Sequence, residues 1–169
     1  MTTKPNAVQP IPEGYRTVTP WIISRDTAKL LDFMKEAFGA EEIDRVYNED
    51  GTIGHAEVKI GDSIVMAFDW RGEWETPCFL RLYVEDGDAV YQQALVAGAT
   101  SVTEMTYLFF GDQVGRVRDP LGNIWWIQTR LEDLNPEKMG RRAGEKKYLD
   151  AMQYVQQSLD HELRSRGRK

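Results

Sequence analysis

Apolar and polar positions in the first half of the chain predict one helix and four strands. The run from Tyr15 to Ser24 is rich in β-forming residues and predicts a strand, in which Pro20 favours an edge position or a bulge. Between Asp26 and Gly39 the apolar residues recur near a period of ~3.6, which predicts a helix that begins after the aspartate and ends at the glycine. The remaining strands are predicted at residues 41–47, 53–60 and 63–69.

The second half of the chain repeats this order of elements. A helix is predicted from about Ala89 to Ala97, and strands are predicted at residues 78–84, 101–109, 111–118 and 123–130. Most links between strands are too short for the crossovers of a doubly wound parallel sheet. We therefore expect an α+β fold of two βαβββ modules, at about residues 15–70 and 78–130.

After Arg130 the pattern changes to that of a helical C-terminal extension over residues 132–169. Asn135 followed by Pro136 is typical of a helix start, and a long helix is predicted from about Glu145 to Arg164. Its apolar line consists of Leu149, Met152, Val155 or Gln156, Leu159 and Leu163. This line fits packing on the same chain as well as packing on a second copy.

The composition indicates a folded core, and the net charge indicates which kinds of binding partner are unsuitable. Five Trp, seven Tyr and six Phe in 169 residues supply enough buried area for a core. The net charge of −6 argues against nucleic acid or an anionic membrane surface as a partner. Basic residues concentrate at the C-terminal end, where Arg164 to Lys169 are expected to form a solvated tail.

The cysteine content and the N-terminal residues indicate the cellular compartment of the protein. The single cysteine, Cys78, excludes an intramolecular disulfide and is compatible with a reducing compartment. No window approaches the ~20 apolar residues of a membrane span. Residues 1–14 are polar and proline-rich, which predicts a flexible leader without an apolar signal core. A cytoplasmic protein is therefore expected.

Several short sequence motifs in the predicted modules resemble those of a known family. They are Leu31-Asp32-Phe33, Ala37-Phe38-Gly39-Ala40, Ile53-Gly54-His55-Ala56-Glu57, Gly61-Asp62-Ser63, Gly111-Asp112, Gly115-Arg116-Val117 and Asp119-Pro120-Leu121-Gly122. In order and spacing, the chain from about Tyr15 to Met139 resembles the vicinal-oxygen-chelate superfamily (glyoxalase, bleomycin resistance protein, dioxygenase), and within it the PhnB-like branch.

The resemblance implies that each module curls as a curved mixed sheet around half of an open cavity. Two modules, from one chain or across a homodimer, would complete that cavity. Metal-dependent members place four ligands on the inward faces of their strands, and these positions fall at about Thr19, Val65 or Met66, Phe79 and Trp126. None of these side chains suits zinc or iron, and Asn123 stands where PhnB-like members often have histidine. The resemblance therefore implies no metal cofactor, with a divalent metal as the alternative.

His55 and Glu57 are the candidate catalytic residues. Because strand side chains alternate, both lie on one face of the third predicted strand, together with Lys59. A histidine beside a carboxylate suits a general base or part of a metal site. An outward, solvated face is the alternative interpretation.

Arg116 and Arg118 lie on one face of a strand in the second module. A guanidinium can hold a carboxylate or phosphate through two parallel hydrogen bonds, which indicates an anionic ligand. A structural ion pair with Asp112 or Asp119 is the alternative.

Aromatic residues on the strands indicate a ligand pocket. Trp125 and Trp126 point to opposite faces, so only one of them can pack on the helix side. By the resemblance, Trp126 points into the cavity and Trp125 packs against a helix. The residues expected to bind the ligand are Trp126, Phe79, Met66, Thr19, Phe110 and Arg116.

The leading hypothesis is a metal-independent protein of the bleomycin-resistance type that sequesters a small aromatic or amphipathic molecule. The alternative is a metal-dependent lyase, isomerase or dioxygenase that uses His55 and Glu57. A third interpretation is a scaffold that acts through its C-terminal helix. The sequence leaves open whether the protein is an enzyme.

Overall fold

The fold contains two four-stranded sheets, one from each half of the chain. The computed structural model describes residues 9–166. The first half comprises β1 (Trp21–Ser24), α1 (Thr27–Phe38), β2 (Glu41–Tyr47), β3 (Ile53–Ile60) and β4 (Ser63–Asp69). The second half comprises β5 (Phe79–Tyr83), α2 (Gly87–Val96), β6 (Thr100–Tyr107), β7 (Asp112–Arg118) and β8 (Ile124–Arg130). The α+β fold of two βαβββ modules is thereby confirmed.

The two sheets have the same topology. The strand orders are β1-β4-β3-β2 and β5-β8-β7-β6, with the first pair parallel and the other pairs antiparallel in each sheet. The helices also begin alike, since the side chains of Asp26 and Asp86 accept hydrogen bonds from the backbone N–H groups of Lys29 and Ala89. Gly39 ends α1 with a φ of 64°, in the left-handed region that favours glycine.

Helices α1 and α2 pack on each other and join the two sheets in one core. The rings of Phe38 and Trp125 lie 4.8 Å apart, and Gln93 Nε2 donates to the carbonyl of Glu36 over 2.5 Å. Trp125 is fully buried, and its Nε1 donates to Asp119 over 2.9 Å. Each sheet therefore turns one face to the shared helices and leaves the opposite face, called here its outer face, separate from that of the other sheet.

The chain ends with α3 (Pro136–Ala143) and α4 (Lys146–Arg166), and α4 covers the outer face of the second sheet. Met152 and Val155 of α4 join Leu108 and Val114 in a small apolar cluster. Ser158 Oγ lies 2.7 Å from Thr103 Oγ1 on β6. Met152 and Val155 of the predicted apolar line therefore pack on the same chain, whereas Leu149 and Leu163 are 54% and 49% exposed. No helix within residues 9–166 combines the length and apolar character needed to cross a membrane.

The first strand is shorter than predicted, because it begins at Trp21 and not at Tyr15. Pairing with β4 starts at Trp21, opposite Met66. Upstream of it, Thr19 Oγ1 donates to the carbonyl of Arg16, a local bond that competes with a strand ladder. The other predicted elements differ from the observed ones by one or two residues at their ends. Residues 1–8 of the predicted leader and 167–169 of the predicted tail lie outside the described residues.

Candidate functional site

A cavity of about 520 Å³ lies between the outer face of the second sheet and α4. The sheet and the loop after β6 supply Arg81, Leu108, Phe110, Val114, Arg116, Trp126 and Gln128, and α4 supplies Met152, Val155, Gln156, Leu159, Asp160 and Leu163. Because strand side chains alternate, the residues of β7 and β8 that face the cavity are those that do not face α2. The wall is mostly apolar, with polar groups confined to a few positions.

Trp126 forms the centre of this wall. It points away from the helices while Trp125 points into the core, as the strand alternation predicts. Phe79 packs against the Trp126 ring at a centroid distance of 5.8 Å. The indole Nε1 of Trp126 is buried and has no hydrogen-bond partner among the residues that the structure describes. The Trp126 side chain therefore lines the cavity, while its indole N–H is enclosed by protein.

Arg116 is a buried cation beside that ring, with only 2% of its surface exposed. Its Nη1 donates to Thr103 Oγ1 over 2.9 Å and to the Val155 carbonyl over 2.8 Å. Within residues 9–166 it forms no ion pair, and its Nε has no acceptor. Burial, reinforced by the charge of Arg81, lowers the pKa of Arg116 to about 10.

Arg118, by contrast, is used structurally. Its Nη1 lies 2.9 Å from both carboxylate oxygens of Glu162 on α4, and Arg166 binds the same carboxylate. The structural ion pair that was the alternative for this strand, β7, therefore exists at Arg118. Its partner is Glu162, and not Asp112 or Asp119.

Those two aspartates bind neutral donors instead. Asp112 accepts from Gln128 Nε2, and Asp119 accepts from Asn123 Nδ2 and Trp125 Nε1. The partner of Arg118 was missed because it lies on a helix whose docking position cannot be read from the strand pattern.

His55 and Glu57 lie on the outer face of the first sheet, away from this cavity. His55 Nε2 is 2.9 Å from Glu57 Oε1, and the hydroxyl of Tyr15 donates to the same carboxylate. The Trp21 ring packs edge-on against His55 at 5.6 Å. With 29% and 13% of their side chains exposed, His55 and Glu57 lie on an outward face and are partly covered by their neighbours.

The hydrogen bond from Tyr15 is the main reason that the pKa of Glu57 lies below its ordinary value. Burial acts in the opposite direction, and the contact with His55 lowers the pKa further. The same bond raises the pKa of Tyr15, because the neutral phenol is the donor. Tyr15 was not foreseen at this site, since a lone tyrosine in a β-rich run carries no specific signal.

The residues expected to line one cavity are divided between two. Phe110, Arg116 and Trp126 line the cavity under α4, with Phe79 against Trp126. Thr19 and Met66 line a shallow cleft on the first outer face, together with the N-terminal residues Pro10, Ile11, Pro12, Tyr15, Arg16 and Thr17. Within one chain these residues therefore do not form a single wall, because the packing of α1 on α2 separates the two outer faces.

Two polar residues of the α4 cavity were also missed. Arg81 and Gln128 lie on β5 and β8 and face the cavity. A signal for Arg81 existed, since it is a charge within the otherwise apolar strand sequence CFLRLYV. Gln128 lies two residues after Trp126, so the period of the strand places it on the same face.

The residues that the structure describes do not assemble a donor set for a divalent cation. Within residues 9–166 no three His, Cys, Asp or Glu side chains come together as a metal site. The positions that the resemblance assigns to metal ligands carry no histidine or carboxylate, and His55 and Glu57 bind each other. These residues do not fit the metal of the metal-dependent members.

Comparison with known proteins agrees with this fold. The model of the Glyoxalase/Bleomycin resistance protein/Dioxygenase superfamily matches residues 16–127. An uncharacterized protein of Mycobacterium bovis is 33% identical over 134 residues, covering 72% of this chain and 88% of the relative. TioX from Micromonospora sp. ML1 is similar in structure, with a TM-score of 0.59 at 24% identity over 67% of this chain and 97% of that chain.

A PhnB protein from Bacillus cereus shares the fold, with a TM-score of 0.53 at 17% identity over 69% of this chain and 100% of that chain. At such identities the two solved structures bear on the fold alone. The sequence match covers both modules from Arg16 to Ile127. The chain belongs to the glyoxalase/bleomycin resistance protein/dioxygenase superfamily.

Proposed function

We propose that the protein binds a small aromatic or amphipathic molecule in the cavity under α4 and sequesters it unchanged, as a bleomycin-resistance type member of its superfamily. The observation that carries this proposal is the position of Trp126 in the wall of a cavity that α4 borders. A volume of about 520 Å³ suits a drug-sized ligand. The order and spacing of the sequence motifs support placing this protein in the PhnB-like branch.

The chemistry of the cavity wall favours binding over catalysis. Among the described residues that line it there is no histidine or cysteine. Its one carboxylate, Asp160, accepts a hydrogen bond from Arg164 Nε over 2.7 Å. A wall of this kind offers apolar contact and hydrogen-bond donors, and its one carboxylate is already held by an arginine.

The neutral dye N-phenylnaphthylamine is a suitable probe for this cavity. Its fluorescence should rise saturably on wild-type protein, and Trp126→Ala should weaken binding about tenfold, because the largest aromatic contact is lost. Trp74→Ala is the matched control, since Trp74 is exposed and lies outside the cavity. No saturable binding by the wild type, or equal weakening in both variants, would overturn the proposal.

A lyase, isomerase or dioxygenase that uses His55 and Glu57 remains the second candidate. The contact between the two side chains and the hydrogen bond from Tyr15 favour it, since they orient the histidine beside a carboxylate. Elemental analysis of protein purified without chelator separates the candidates. We expect far less than one equivalent of zinc, nickel, iron or manganese, and a stoichiometric metal would favour the enzyme.

A further inference from the structure

Two arginines share one aromatic ring in the α4 cavity. The Cζ atoms of Arg116 and Arg81 lie 3.7 Å and 4.2 Å from the centroid of the Trp126 ring. Neither arginine forms an ion pair within residues 9–166. Two positive charges therefore meet at one wall of a largely apolar cavity.

The surrounding carboxylates are engaged elsewhere. Asp160, at the cavity wall, binds Arg164, and Glu162 on the same helix binds Arg118 and Arg166. Asp112, behind the neighbouring Gln128, accepts from that amide. The positive charge of Arg116 and Arg81 is therefore not neutralised by acidic groups of the described chain.

A buried cation without a counterion is unfavourable, and removing an unpaired charge from water costs more than a ring contact returns. Arg116 reduces this cost through two neutral acceptors on Nη1 and through the face of Trp126. Its Nε and the Trp126 Nε1 remain without partners among the described residues. An anion at the cavity wall would supply the missing charge.

We propose that the ligand of this cavity is an aromatic anion, whose carboxylate, sulfonate or phosphonate group binds Arg116 and Arg81 while its rings pack on the apolar side chains of the wall. The inference rests on the proposed function and specifies the ligand class for that cavity. It also gives Arg116 a role beyond holding α4 through the Val155 carbonyl.

Two dyes with the same aromatic rings, one neutral and one anionic, measure how much the anionic group contributes to binding. N-phenylnaphthylamine is neutral, and anilinonaphthalene sulfonate carries a sulfonate on the same rings. The wild type should bind the sulfonate about 10- to 100-fold more tightly than the neutral dye, as expected for hydrogen bonds to a charged group. A ratio of affinities cancels changes that affect the apolar wall alone.

Substitutions of the arginines test which side chain produces the preference for the sulfonate over the neutral dye. Arg116→Met should bring the ratio close to one while binding of the neutral dye persists, and Arg116→Lys should restore part of it. Arg118→Met is the matched control, because it removes a cation that Glu162 already neutralises, and the ratio should stay at the wild-type value. Should Arg116→Met be insoluble, Arg81→Met removes an exposed arginine and should lower the ratio several-fold.

The outcomes separate the two proposals. Failure of both dyes to bind would overturn the proposed function itself. Binding of both dyes with equal affinity would leave the proposed function standing and overturn the anionic ligand. A wild-type preference for the sulfonate that survives both Arg116→Met and Arg81→Met would also overturn it, since the charge would then be recognised elsewhere.

Discussion

Arg116 and Trp126 are direct cross-strand partners on β7 and β8, and the Cζ atom of the arginine lies 3.7 Å from the centroid of the indole. Opposite residues of an antiparallel pair have neighbouring Cβ atoms, so the strand register itself places the cation against the ring. Arg116 Nη1 then reaches the Val155 carbonyl of α4. One pair of residues therefore links the sheet, the ring in the cavity wall and the helix that borders the cavity.

The two adjacent tryptophans should differ in their effect on stability. Trp125→Ala should lower the free energy of unfolding by about 3–5 kcal/mol, because a fully buried indole and its bond to Asp119 are lost. A domain of this kind is stable by only about 5–15 kcal/mol. Trp126→Ala should cost clearly less, because its ring already borders open space. Urea unfolding measures both, with the exposed Trp74→Ala as control; equal losses would mean that β8 is buried on both faces.

The attachment of α4 should depend on pH through Glu162. Burial by itself would raise the pKa of Glu162, but the hydrogen bonds from Arg118 and Arg166 outweigh it and leave the pKa below its ordinary value. A lowered carboxyl pKa stabilises the fold above the unfolded-state pKa of about 4.3, and this stabilisation is lost as the pH falls through the lower folded-state pKa.

Glu162→Gln should therefore destabilise the protein by about 1–3 kcal/mol at neutral pH, and its difference from the wild type should shrink below about pH 4. Thermal unfolding across a pH series measures this difference. Asp150→Asn is the control, because its ion pair with Lys146 is exposed and should contribute little. A difference that persists unchanged in acid would contradict the assignment to this carboxylate.

His55 and Glu57 should have no part in binding under α4. Both residues lie on the outer face of the first sheet, whereas α1 and α2 separate that sheet from the second. His55→Ala and Glu57→Gln should therefore leave the dissociation constant for N-phenylnaphthylamine within about twofold of the wild type. A loss as large as that of Trp126→Ala would place the ligand on the first sheet instead.

The sequence was sufficient to predict the modules, because the features that define them are local. Asp26 and Gly39 mark the ends of α1 through capping, and the alternation on β8 separates Trp125 from Trp126. The start of β1 was predicted too early, since the β-forming residues before Pro20 make local bonds that no propensity reports.

The candidate site could be predicted only in part, because it depends on how distant elements dock. Met152 and Val155 were recognised as part of an apolar line, but that line fits a second copy as well as the second sheet. The separation of Met66 from Trp126 follows from the packing of α1 on α2, for which the strand pattern carries no signal. The partner of Arg118 was missed for the same reason.

A homodimer stays a prediction, and the edge strands β1 and β5 offer a surface for it. Trp21, Phe79 and Tyr83 on these strands are 51%, 45% and 62% exposed, and exposed aromatic groups of this size are typical of interfaces. Sedimentation equilibrium at micromolar concentration should give about twice the chain mass of 19.4 kDa.

Tyr83→Asp should shift the protein toward the monomer, because it places a charge in that surface. Val96→Asp, at an exposed apolar residue on α2, is the matched control and should leave the mass unchanged. A wild-type protein that sediments as one chain would refute the dimer.

Fluorine NMR of protein labelled with 5-fluorotryptophan tests the central claim most directly, because the five tryptophans sample different parts of the molecule. Trp126 lines the α4 cavity, Trp125 lies in the core, Trp21 lies on the first outer face, and Trp70 and Trp74 lie in the loop between the modules. Single Trp→Phe variants assign the resonances. On titration with N-phenylnaphthylamine, the Trp126 resonance should shift saturably by far the most, while those of Trp70 and Trp74 stay in place. A saturable shift confined to Trp21, or none at Trp126, would contradict a ligand site between the second sheet and α4.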